Sequence, residues 1–87
     1  MVDAYIIHAA DEKRGALLGV CLSSKEALLR AVDYHSVGAA ELGIMCRAAV
    51  PDLPPDWRPT WISVGLYKSF CQPALVAEFV VEQEASE

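Results

Sequence analysis

The chain has 87 residues, of which 54% are hydrophobic, and a formal net charge of −5 at pH 7. This length predicts a single domain over residues 1–87 with a modest core, so the excess of apolar residues predicts a homodimer or a bound protein partner. The acidic balance argues against direct binding to nucleic acid, and the longest run without a charge, Gly15 to Ser24, is too short to span a membrane.

The cysteine count bears on the cellular compartment. Cys21, Cys46 and Cys71 are an odd number, which argues against a disulfide scaffold. The first residues lack the basic region and the long apolar region of a secretory signal peptide. We therefore expect a cytoplasmic protein with reduced thiols.

The first part of the chain predicts an antiparallel hairpin. Two apolar runs, Ala4–Ala9 and Ala16–Leu22, are typical of strands, and the charged turn between them ends in Gly15. The first run is apolar on both faces. A register without irregularities, with Ala10 opposite Ala16, predicts two cross-strand pairs: Tyr5 with Cys21, and His8 with Leu18.

A helix start follows the hairpin. Ser23 followed by Glu26 forms a capping box, in which the serine oxygen accepts a hydrogen bond from an unpaired helix N–H. This pattern predicts a helix that runs to about Tyr34. Residues at helical spacing predict an apolar stripe that faces the sheet, formed by Leu28, Leu29, Val32 and His35.

The next segment predicts a second helix over Ala39–Ala49. Its alanines favour a helix, whereas Gly38 and Gly43 weaken it. A strand through Leu42–Arg47 is the alternative.

The last third predicts a loop and two strands. Pro51–Pro59 contains four of the five prolines and predicts an irregular, proline-rich loop. Thr60–Phe70 and Ala74–Glu82 are typical of strands, and residues 83–87 predict a frayed acidic tail. The order β-β-α-(α)-β-β predicts an α+β fold with an antiparallel sheet of about four strands and one or two helices on one face.

Motifs for catalysis or metal binding are absent from the sequence. The sequence contains no C-x-x-C, H-E-x-x-H or G-x-S-x-G pattern and no glycine-rich phosphate loop. Helix capping accounts for Ser23 and Ser24, and Cys21 lies among apolar neighbours typical of a buried thiol. We expect no catalytic residue, no metal and no cofactor, although a Cys/His pocket between sheet and helices stays an alternative.

The most distinctive pattern is aromatic. Trp57, Arg58, Trp61 and Tyr67 lie in or just after the proline-rich loop, and Trp, Tyr and Arg are the residues that dominate binding hot spots. We interpret these four as a candidate binding interface. The alternative is that one tryptophan belongs to the core and the loop covers it.

These features predict a small acidic, non-enzymatic protein that binds, inhibits or regulates a partner by covering its surface. This profile is similar to that of small acidic inhibitors from phages or mobile elements. The negative charge would suit a basic partner surface, and we expect a homodimer. Two alternatives stay open: a small enzyme or ligand-binding module that uses a Cys/His pocket, and an oligomeric structural subunit.

Overall fold

A computed structural model describes residues 3–68 and 74–83 and forms one open four-stranded antiparallel sheet with two helices. The elements are β1 (Ala4–Ala10), β2 (Gly15–Cys21), α1 (Ser24–Ser36), α2 (Ala39–Ala49), β3 (Trp61–Tyr67) and β4 (Ala74–Val80). This order confirms the predicted α+β fold. Neither helix has the length and hydropathy that crossing a membrane requires, within the described ranges.

The strand order is β2-β1-β3-β4, so the N-terminal hairpin lies beside the C-terminal strands. Tyr5 pairs with Cys21 as predicted. His8, however, pairs with Leu17 instead of Leu18, because the register shifts between Ile7 and His8. A second shift lies on the other side of the sheet centre, between β3 and β4 at Val64/Gly65.

Both helices begin at local signals. Ser23 is the N-cap of α1, and its Oγ accepts a hydrogen bond from the backbone N–H of Glu26 at 3.2 Å. Gly38, at φ 89°, is the N-cap of α2, a conformation that side chains with a Cβ rarely adopt. The bounds of α2 confirm the predicted helix and exclude the alternative strand.

The core between helices and sheet is built largely from small side chains. Ile7, Ile62 and Val64 are fully buried in the sheet. Alanines cover them from the helices and neighbouring strands: Ala9, Ala16, Ala27, Ala31 and Ala39. Small side chains thus make up much of the layer between helices and sheet, while several large apolar side chains lie on the surface.

The predicted apolar stripe of α1 is wrong in part. Leu29 and Val32 are 58% and 50% exposed, whereas Ala27 and Ala31 form the buried face. The two alanines have the same helical spacing as a leucine stripe, and they allow the close approach that the sheet requires. Leu28 is half-buried against the core.

The C-terminal segment is held against the end of the loop. The backbone N–H of Val81 donates to the Thr60 carbonyl at 2.9 Å, and the Gln83 amide donates to the Pro59 carbonyl at 3.1 Å. β3 ends at Tyr67, and the end predicted for that strand at Phe70 lies outside the described residues. The predicted tail, apart from Gln83, also lies outside them.

Candidate binding surface on the sheet

Trp57 belongs to the core. Its side chain is 7% exposed, its indole Nε1 donates to Asp11 Oδ2 at 2.7 Å, and its carbonyl accepts a hydrogen bond from Arg47 Nη1 at 2.6 Å. These contacts attach the proline-rich loop to the β1–β2 turn on one side and to α2 on the other. The indole therefore has little surface left for a partner, in agreement with the alternative that one tryptophan is core.

The other three predicted interface residues lie on two different sides of the molecule. Arg58 is exposed in the loop, with its Cγ near Gly43 of α2. Trp61 and Tyr67 lie at the two ends of β3, on the opposite side of the sheet from the helices. The structure thus brings only Trp61 and Tyr67 to one face.

That face, which we call the open face, follows from the alternation of the strands. Ile7 and Ala9 are buried against the helices together with their β3 partners, so the residues between them point the other way. The open face comprises Ala4, Ile6, His8, Ala10, Gly15, Leu17, Val20, Trp61, Ser63, Gly65, Tyr67, Leu75, Glu78 and Val80.

The open face is apolar where an outer sheet face is usually polar. Its edge strands carry the most exposed side chains: Leu17 (51%), Val20 (50%), Leu75 (65%) and Val80 (72%). Tyr67 is 44% exposed. Among these open-face positions no lysine or arginine occurs, and the only carboxylate is that of Glu78. A contiguous apolar patch of this kind marks an interaction surface.

Sequence reasoning missed most of this face. The signal was present in the first strand, which is apolar at both its odd and even positions. Such a strand predicts burial on both sides, yet the described helices cover only one side. The apolar side chains of the open face therefore account for part of the excess of apolar residues in the composition.

A polar row crosses the middle of the open face. His8 pairs with Ser63, and Ser63 pairs with Glu78. No hydrogen bond joins these three side chains, all of which are described. The imidazole instead lies over Gly15, where a Cβ would collide with it, and burial lowers the pKa of His8. The row therefore has the residue types of a catalytic triad without its hydrogen bonds.

The two thiols in the described part of the chain do not form an exposed site. Cys21 and Cys46 are buried, and burial raises the pKa of Cys46, which disfavours the thiolate. His35 Nε2 lies 2.8 Å from the Val80 carbonyl, and its ring packs against Phe79. In the described ranges no group of three or more His, Cys, Asp or Glu residues is placed to hold a metal ion. Cys71 lies outside those ranges.

Two shallow depressions lie on the open face. One, of about 570 Å³, lies at the end of the face beside the β1–β2 turn, and its lining comprises Trp61, Glu78, Val80, Thr60, Asp11, Glu12 and Lys13. The other, of about 230 Å³, lies around His8, Ser63 and Tyr67. Both are open to solvent, and side chains of a partner would fit into them.

The chain matches no protein family, and neither a curated protein nor a solved structure is significantly similar to it.

Proposed function

We propose that this chain is a non-enzymatic, cytoplasmic protein-binding domain whose open face associates with protein, and that it regulates or inhibits by covering a surface of its partner. The observation that carries the proposal is the exposure of large apolar side chains on both edge strands of that face, up to 72% at Val80. Removing such side chains from water is the main favourable contribution to protein association.

The composition of the face supports a protein partner. Trp61 and Tyr67 combine a large apolar area with a polar atom, as interface residues commonly do. A nucleic acid would require cations, and the open face has neither lysine nor arginine. Burial of Cys21 and Cys46 also disfavours an enzyme that depends on either of these two thiols.

Site-directed photo-crosslinking in the source cell tests whether protein covers this face. The photoreactive amino acid p-benzoylphenylalanine replaces Leu75 on the open face or, in the control, Leu29 on the outer surface of α1. Both leucines are well exposed, at 65% and 58%, so either replacement leaves the core intact.

We expect a covalent protein adduct at position 75 and none at position 29. An irradiated cell without an adduct at position 75 would refute binding through the open face. Where the adduct contains a different protein, adding the purified chain should reduce that protein's activity. The doubly substituted chain Leu75→Lys/Val80→Lys should leave that activity unchanged.

A further inference from the structure

We propose that the partner of the open face is a second copy of this chain, which packs its own open face against the first in a closed twofold dimer. This inference rests on the proposed function and names the partner. Four observations carry it: the size of the face, the position of the acidic helical residues on the other side of the sheet, the match between the two edges of the face, and the position of a single carboxylate.

The size of the face suits a dimer. Each of the four strands has seven residues. At about 4.8 Å between strands and about 3.3 Å per residue, the sheet has a footprint of roughly 19 × 23 Å, or roughly 440 Å². Protruding side chains make the accessible area larger than the footprint, so two copies hide more than about 900 Å², close to the roughly 1,000 Å² that a specific interface should clear.

The acidic residues of the helices do not oppose such a contact. The helices carry exposed carboxylates at Glu26, Asp33 and Glu41, on the side of the sheet that faces away from the proposed interface. Charges separated by more than about 8 Å are largely screened at physiological ionic strength. The dimer would thus keep the acidic helical surfaces outward, where a basic partner would meet them.

The edges of the face are complementary under one twofold operation. If the axis runs along the strands between two stacked sheets, β1 of one copy lies over β3 of the other, and β2 lies over β4. The exposed Val20 of each copy then lies over Leu75 of the other, whereas Leu17 lies over Glu78 and Gly15 lies over Val80. Sheets stacked about 10 Å apart bury such side chains between them.

The same operation supplies a donor for Glu78. Within one chain, His8 and Glu78 lie two strands apart in the polar row, roughly 10 Å. Across the dimer His8 of one copy lies one strand to the side of Glu78 of the other, so its imidazole is the donor that could reach the carboxylate diagonally, beside the Leu17 side chain that lies directly over it. An axis perpendicular to the strands would place β4 over β4 and set two Glu78 carboxylates against each other without a donor, which is costly.

Analytical ultracentrifugation of the purified full chain tests the inference. At about 100 μM, well above the dissociation constant of a micromolar complex, wild type should sediment as a dimer. The variant Leu75→Lys/Val80→Lys places four ammonium groups in the interface and should raise the dissociation constant at least about a hundredfold. Leu29→Lys/Val32→Lys is the matched control, with the same residue types and the same charge change on α1, and should stay dimeric.

If the wild-type chain is a monomer at about 100 μM, the inference is wrong whatever the variants show. A dimer that survives the open-face substitutions while the α1 substitutions dissociate it also overturns the inference. Circular dichroism establishes that each variant is folded. A monomeric wild type together with a crosslink from position 75 to a different protein would refute the dimer and leave the proposed function standing.

Discussion

Replacing Gly43 by alanine probes how closely the proline-rich loop approaches α2. A Cβ at this position would lie 2.5 Å from the Trp57 carbonyl oxygen and 2.9 Å from Arg47 Nη1. Real Cβ atoms do not approach a backbone oxygen to 2.5 Å, so the loop must move. Movement of the carbonyl would stretch the 2.6 Å hydrogen bond that it accepts from Arg47 and lift the buried indole.

Two opposing effects set the magnitude. Alanine in place of glycine inside a helix stabilises by about 1 kcal/mol. Loss of a hydrogen bond from a charged donor costs about 1.5–3 kcal/mol, and overpacking of a core costs about 1–3 kcal/mol. We expect a net loss of about 2–3 kcal/mol in the free energy of unfolding, or a melting temperature lower by roughly 10–20 °C for a domain of this size.

Thermal unfolding followed by circular dichroism measures this change, at one fixed protein concentration because self-association would add to apparent stability. Ala48→Gly is the control, since Ala48 is exposed on the same helix and reports helix propensity alone, with an expected loss of about 1 kcal/mol. A Gly43→Ala protein that melts at or above the wild-type temperature would show that the loop does not lie against the helix backbone.

Three further predictions follow from the titratable groups. Hydrogen bonds from the backbone N–H groups of Lys13 and Arg14 lower the pKa of Asp11. The ionised carboxylate therefore stabilises the fold above the usual pKa of an aspartate, and this stabilisation is lost as pH falls through the lowered pKa of the folded chain. Asp11→Asn should therefore flatten the acid dependence of urea unfolding. Burial lowers the pKa of His8 from its usual value of 6.5. The free energy of unfolding is therefore highest above pH 6.5 and falls as pH drops from there through the lowered pKa of the folded chain. His8→Gln should remove that loss. In a Cys71→Ser protein the remaining buried thiols should react at neutral pH at least about 100-fold more slowly when folded than in urea.

Each of these has a result that would contradict it. Parallel acid-stability curves for wild type and Asp11→Asn would mean that the carboxylate titrates alike in folded and unfolded chains. A wild-type stability that is unchanged between pH 7 and pH 5 would argue against a desolvated imidazole. Rapid labelling of the folded Cys71→Ser protein would mean that one of the two described thiols is accessible.

The elements with strong local signals were predictable from the sequence. The capping serine, the charged hairpin turn and the alanine-rich segment each depend on a few neighbouring residues, and the structure has α1, the hairpin and α2 where these signals place them. The buried face of α1 was not predictable from hydrophobicity alone. Ala27 and Ala31 are the buried residues of the helix, and which side of α1 packs on the sheet depends on the whole fold.

The candidate surface was predictable only in part. Trp61 and Tyr67 were singled out as aromatic residues, and they do lie on the open face. The contacts that bury Trp57 involve Asp11 and Arg47, which are distant in sequence from the loop and carry no motif. Which side of an all-apolar strand is left uncovered depends on where the helices pack, and that is a property of the whole fold.

The two register shifts bear on how far assembly can proceed. Both lie where an edge strand meets the central pair, between β1 and β2 at Ile7/His8 and between β3 and β4 at Val64/Gly65. Irregular pairing of this kind bends and twists an edge strand, which hinders the addition of a further strand from another molecule. Apolar protein chains often grow into fibrils by such edge-to-edge addition. With irregular edges on both sides of the sheet, growth of that kind is disfavoured even when the chain is concentrated.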